Sequence, residues 1–310
     1  QIVNVPPITA VDYSEPQPLS FAQQRLWFLD QLDPGNAAYN MPGAFRVKGR
    51  LDAGALEKAL AEIQQRHAVL RSHTVMVDEQ PCQMISAASD WRMQQRDYSA
   101  VSEDVLDHAI HERIAQWRQH AFDLATGPLF RVELVTLRQD DYLLLVNMHH
   151  IVSDGWSNGV LMRELGMLYD AFLHQRPSPL QPLRIQYADF AVWQRNWLTG
   201  DELERQVGYW RNQLAGVEVL NLPTDRPRRA DTGFAGNIVQ FSIDAALTAR
   251  LNQLARQQGA SLYMTLLSAY MVLLSKYSNQ TDISVGSPIA GRNHEEIESL
   301  ITKRTRAIVV

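Results

Sequence analysis

A two-lobed α/β protein is what this sequence predicts, and three observations predict it. The run "DYLLLVNM" is apolar nearly throughout and has the length of a strand buried on both faces. Capped segments with one-sided apolar stripes, the mark of helices packed on a sheet, occur before and after it. Two irregular stretches, "HQRPSPLQPLRIQ" and "LNLPTDRPRRADTGFAG", are rich in proline and glycine and break the pattern. They divide the chain into an N-terminal lobe, 1–178, and a second region, 179–310, made of the connection and a partial lobe. A length of 310 residues suits two ordinary domains.

The elements follow in order. After a polar, proline-rich leader, Ser20 and Gln23 form a capping box that opens a helix through "FAQQRLWFLDQL", which Pro34-Gly35 closes. Asp52 caps a second helix, whose Leu56, Ala59, Leu60 and Ile63 share one face. "RSHTVMV" alternates as a strand does. From Trp156 a helix runs to about Phe172, with Leu161, Leu165, Leu168 and Phe172 on one stripe. A helix through "DELERQVGYWRNQLAG" ends at Gly216. Asp244 opens another, terminated by Gly259, and Ser261 caps "LYMTLLSAYMVLLSKY". "DISVGSPIAGR" then supplies a short strand and a turn.

Composition narrows the function classes. Apolar content of 45% and charged content of 20% describe a globular chain rather than a disordered one. A net charge of -5 and the lack of a basic face argue against nucleic acid. Cys82 is the only cysteine, so no internal disulfide can form and a reducing, cytoplasmic setting is expected. The leader has no signal-peptide apolar core, and no apolar stretch reaches the length needed to cross a membrane.

The chemistry concentrates in "NMHHIVSDGWS", residues Asn147 to Ser157. An imidazole exchanges protons near neutral pH, binds metals, or sits satisfied in a core. Consecutive strand residues point to opposite faces, so His149 and His150 diverge: one turns inward and the other toward the open end of the sheet. Asp154 stands in a tight loop where it can fix either histidine or the loop itself. Gly155 lets backbone approach a ligand, and Ser157 is a candidate cap. Backbone N–H groups at the helix start are suited to an oxyanion. A metal is not expected, because adjacent histidines diverge and no third strong ligand is near in sequence.

The same stretch resembles the HHxxxDG motif of the condensation domains of nonribosomal peptide synthetases. "LSFAQQRLWFLDQL" is similar to that family's SxAQxRLWxL, "RHAVLRSHT" to RHxxLRTxF and "YADFAVWQR" to YxDYAxW. "LPTDRPR" is similar to its inter-lobe stretch, and "ISVGSPIAGR" to IGxPxxGR. These six motifs keep the family's order from Leu19 to Arg292. The resemblance implies two chloramphenicol-acetyltransferase-like lobes in a V. It implies formation of a peptide bond between a donor thioester and an acceptor amine, both delivered on phosphopantetheine arms by carrier proteins. No cofactor would be bound directly, and an adenylation domain is the expected neighbour. His150 would handle the amine, His149 would be structural, and Gly155 would lend backbone N–H. Asp154 would shape the loop by an ion pair with Arg71, with Trp156 and Ser157 as further support.

The chain departs from the family after "ESL". Where IGxFVNTLVxR is expected it reads "ITKRTRAIVV", and Lys303, Arg304 and Arg306 are costly in a buried strand unless paired. By the family pattern the second lobe is incomplete, so an inactive fragment is one alternative. A non-catalytic docking module is another, although such modules are expected to lack the second histidine. A third is an acyltransferase of the same superfamily with a soluble acceptor.

Overall fold

The structure, a computed structural model, describes residues 5–87, 91–227, 239–289, 291, 295–303 and 306–309. In chain order its strands and helices are β1 (Gln17–Pro18), α1 (Phe21–Leu32), β2 (Asn40–Lys48), α2 (Ala53–Arg66), β3 (Ser72–Val77), β4 (Gln80–Ile85), β5 (Gln94–Asp97) and α3 (Glu103–Arg118). They continue with β6 (Phe130–Arg138), β7 (Asp141–His149), α4 (Gly155–Leu173), α5 (Tyr187–Trp197), α6 (Gly200–Gln213), α7 (Ala245–Gln257), α8 (Leu262–Ser278), β8 (Gly286–Ile289) and β9 (Arg306–Val309). The chain is the chloramphenicol-acetyltransferase-like mixture of sheets and helices that its motifs imply.

Contacts divide it into one unit of residues 1–204 with 289–306 and another of 205–288 with 307–310. In the first, four strands run in the order β2-β7-β6-β5. The pairs β2–β7 and β6–β7 are antiparallel, and β5–β6 is parallel. A strand apolar on both faces is usual for parallel sheets; here an antiparallel strand has the same character because helices cover both sides. Leu144, Val146 and Met148 of β7 join the core with α2 and α4, whereas Leu143 and Leu145 pack with Leu106, Ile110 and Trp117 of α3. Truncating the fully buried Leu145 to alanine would cost about 2–5 kcal/mol. A smaller sheet, β1-β4-β3, completes the unit.

α5 belongs with the first unit because Tyr187, Phe190 and Trp193 join its hydrophobic core, with Trp197 packed against it. Buried Asp189 on the same helix accepts from Val11 N at 2.8 Å and from Tyr13 Oη at 2.6 Å. Trp193 Nε1 donates to the Pro6 carbonyl, so the leader is tied to α5 as well.

In the second unit α7 and α8 carry the caps that their sequences announce. Asp244 accepts from Leu247 N at 2.7 Å and Ser261 from Met264 N at 3.2 Å. Strands β8 and β9 pair. A short strand forms at Arg306–Val309, after Lys303, as one of the two strands of that sheet. Arg304 lies outside the described residues, as do Arg292 of the glycine-flanked turn and 228–238 of the second connection.

Candidate functional site

β7 ends at His149, and the backbone turns sharply from His150 to the start of α4. Val152 N donates to the His149 carbonyl at 3.1 Å, and His150 N to the Tyr39 carbonyl at 2.8 Å. The two side chains consequently enter different surroundings.

His149 is buried, with its ring edge-on to Tyr39 at 6.5 Å and to Phe122 at 6.1 Å. Its Nδ1 accepts from Ile151 N at 3.1 Å and so carries the lone pair. Burial, with His150 and Lys303 nearby, lowers its pKa to about 4. This imidazole stays neutral through the physiological range.

His150 is half-buried. Its Nδ1 lies 2.7 Å from the Ser153 carbonyl, which can only accept, so Nδ1 bears the proton. Nε2 then holds a lone pair. Burial lowers the pKa of this ring too, and the neighbouring Lys303 cation adds to the effect. Lys303 Nζ lies 2.9 Å from that Nε2 and donates to it.

Asp154 is fully buried and is the cap of α4: its Oδ1 accepts from Ser157 N at 3.0 Å and from Ser157 Oγ at 2.8 Å. Ser157, a candidate cap by sequence, is instead the third residue of the helix and receives the cap. The expected ion pair between Asp154 and Arg71 does not form. Arg71 lies half-buried elsewhere, with Nε donating to the Gln64 carbonyl, Nη2 to the Gln65 carbonyl and Nη1 to the Ser86 carbonyl. A guanidinium carries five donors, and main-chain carbonyls at the end of α2 and just after β4 take them without a counter-charge. Gly155 is exposed and has no positive φ; beyond its chain neighbours and its own helix backbone, a Cβ there would meet nothing within 4 Å.

The site has a wall that its motif does not announce, the segment from Ile297 to Lys303. Ile297, Leu300, Ile301, Thr302 and Lys303 are all buried. Thr302 N donates to Ser157 Oγ at 3.0 Å, and Ile301 N to His67 Nδ1 at 3.2 Å. With Nδ1 accepting, His67 Nε2 carries a proton and donates to Glu164 Oε2 at 2.7 Å. Glu164 also takes Arg66 Nε at 3.0 Å. Burial would raise its pKa, but the hydrogen bonds from His67 and Arg66, with the Arg66 charge, prevail and hold it below the ordinary value. Tyr187 Oη donates to the Lys303 carbonyl, and Trp156 Nε1 to the Glu298 carbonyl at 3.0 Å. The sequence flags Lys303 only as a charge in need of a partner. That partner is His150.

Against known proteins, a condensation-domain family model matches residues 13–301. The chain belongs to the condensation-domain family. A linear gramicidin synthase of Brevibacillus parabrevis is 46% identical over 296 residues, covering 95% of this chain and 6% of that protein. Malpinin synthetase of Mortierella alpina is 46% identical over 299 residues, 95% of this chain and 4% of its own length. This condensation-domain chain therefore spans a small fraction of the curated synthetases it matches. Among solved structures, the X-domain from teicoplanin biosynthesis superposes with a TM-score of 0.86 at 29% identity, over 98% of this chain and 67% of that one. The first condensation domain of the CDA synthetase has the same fold, with a TM-score of 0.77 at 20% identity over 96% of this chain and 70% of that one. Among the described residues no helix is long and apolar enough to cross a membrane, and no group of three His, Cys, Asp or Glu could hold a metal.

Proposed function

We propose that this condensation domain forms a peptide bond between a donor aminoacyl or peptidyl thioester and the amine of an acceptor aminoacyl thioester. Donor and acceptor carrier proteins would present both on phosphopantetheine arms, beside an adenylation domain of one cytoplasmic synthetase. The observation that carries this reading is the fixed tautomer of His150. Its Nδ1–H is committed to the Ser153 carbonyl, and its Nε2 lone pair is left as an acceptor, taken here by the Lys303 amine.

The reaction asks little more of the protein. The acceptor nitrogen attacks the thioester carbonyl carbon, a C–N bond forms, the C–S bond breaks, and the thiol leaves. One proton must move from nitrogen to sulfur. An α-amine has a pKa near 8, so an imidazole kept neutral at pH 7 can take that proton or hold the amine by a hydrogen bond as it attacks. Alignment of the two arms would supply much of the remaining rate. His149, neutral and buried, keeps the turn in shape, and Asp154 keeps α4 in register behind it. The test is His150→Ala with two loaded carriers, read by mass spectrometry of the dipeptidyl carrier. Dipeptide formation should fall by about 10²-fold or more with little change in melting temperature; wild-type turnover would remove His150 from the mechanism.

A further inference from the structure

We propose that the Lys303 amine stands in for the acceptor amine at His150 Nε2, so that the segment 297–303 closes the site and must withdraw before an acceptor can bind. This rests on the reading of His150 given above and adds to it a residue that governs access.

The geometry has three parts. Lys303 Nζ makes, at 2.9 Å, the hydrogen bond that an incoming amine would make to the same lone pair. One lone pair accepts one such donor, so the two amines exclude each other. The lysine is not a loose surface arm. Its residue is buried, its carbonyl is held by Tyr187 Oη, and the two residues before it are held by Ser157 Oγ and His67 Nδ1. Those anchors come from α4, α5 and the loop after α2, so the segment is fastened on several sides. Finally, the chemistry of Lys303 is matched to its place. The groups that face it are His150 and His149 from the end of β7, Asp154 from the start of α4, Arg25 from α1 and the Tyr187 hydroxyl from α5. Burial brings the ammonium down to about 8, with Asp154 opposing and Arg25 assisting. Its charge is therefore present below about pH 8 and is lost as pH rises through that value, weakening the hold on Nε2.

A site competent only when the segment is withdrawn binds acceptor more weakly by the fraction of time it is open. Replacing Lys303 by methionine, similar in length but without donors or charge, should raise that fraction. The experiment uses the full chain with 15N-labelled histidine, titrated by NMR as wild type and as Lys303→Met, with glycinamide as the probe amine. In Lys303→Met the His150 Nε2 signal should shift and its pKa rise, and glycinamide should perturb it at about tenfold lower concentration than in wild type. Dipeptide formation on loaded carriers should rise most below pH 8, while the gain from acceptor deprotonation is common to both forms. An unchanged His150 signal and equal glycinamide response in the two forms would overturn the proposal even if both are active. A shifted His150 signal with no dipeptide from either form would leave the contact standing and defeat the reading of the reaction. If Lys303→Met does not fold, the 15Nζ titration of wild-type Lys303 decides: a midpoint near 8 that moves in His150→Ala supports the pairing, and a midpoint near the free value of 10.4 overturns it.

Discussion

Two histidines adjacent in sequence acquire different chemistry because the strand ends between them. His149, the last residue of β7, points inward among Phe122 and Tyr39, and its single lone pair is used by a backbone N–H. An unfolded imidazole takes its proton near 6.5, whereas the folded His149 resists until about pH 4. Between those values the unfolded chain binds more protons, so stability declines as pH falls from about 6.5 to about 4. For a residue this buried the loss is on the order of 3 kcal/mol. Urea unfolding at pH 7 and pH 4.5 should show it. His149→Asn, which offers Ile151 N an acceptor but does not titrate, should flatten the acid dependence. Asp154 calls for a different test. As the cap of α4 its carboxylate is replaceable by another acceptor, so Asp154→Asn should keep more stability than Asp154→Ala, for which loss of the cap alone costs about 0.5–2 kcal/mol. Thermal melts that rank the two the other way would make the negative charge, rather than the cap, the important property. Arg71→Ala should not reproduce the Asp154 variants, since the two side chains do not meet.

At the scale of elements, the join between α4 and the segment 297–303 is the feature most open to measurement. Ser157 Oγ accepts from Thr302 N while its own proton goes to Asp154 Oδ1 or to the Thr302 carbonyl. One hydroxyl thus links the helix cap to a distant piece of chain. Ser157→Ala leaves the buried Thr302 N–H without this acceptor, a loss of about 1–3 kcal/mol. Amide exchange at Ile301 to Lys303 should accelerate in that variant, with little change at β6 and β7. Uniform acceleration across the sheet would mean that the segment is part of the global unfolding unit rather than a separable wall. By contrast, α1 and α2 are legible from their caps and stripes alone. Ser20 and Gln23 form the reciprocal box that the sequence announces, and Leu56, Ala59, Leu60 and Ile63 are all buried.

At the scale of the molecule, apolar surface is unevenly covered. The first unit buries both faces of its central strands β6 and β7. On α8, Tyr263, Met264, Leu266, Tyr270, Val272, Leu273 and Tyr277 are exposed, and Leu274 is the buried residue among those described. Exposed patches beyond a few hundred Å² favour association. The isolated 310-residue chain is therefore expected to self-associate at micromolar concentration, and Val272→Lys with Tyr277→Lys should reduce this without disturbing the first unit. Sedimentation velocity would check it. A compact monomer at all concentrations would show that this helix face is tolerated as it stands.

Local rules carry far where the physics is local. Helix caps, amphipathic stripes and the apolar strand depend on neighbours within a few residues, and they suffice to place α1, α2, α4, α7, α8 and β7. The histidine motif and its order among five others likewise mark the family. What sequence spacing does not supply is which distant groups converge. An ion pair is the obvious way to satisfy a buried carboxylate, and it pairs Asp154 with Arg71, 83 positions away (154 − 71). The fold instead satisfies Arg71 with carbonyls and uses Asp154 as a cap. Nor does any local pattern bring Lys303 to His150, 153 positions earlier. That contact exists because hydrogen bonds from α4, α5 and His67 hold a patternless stretch of chain against the site, and only packing in three dimensions sets where such a stretch comes to rest.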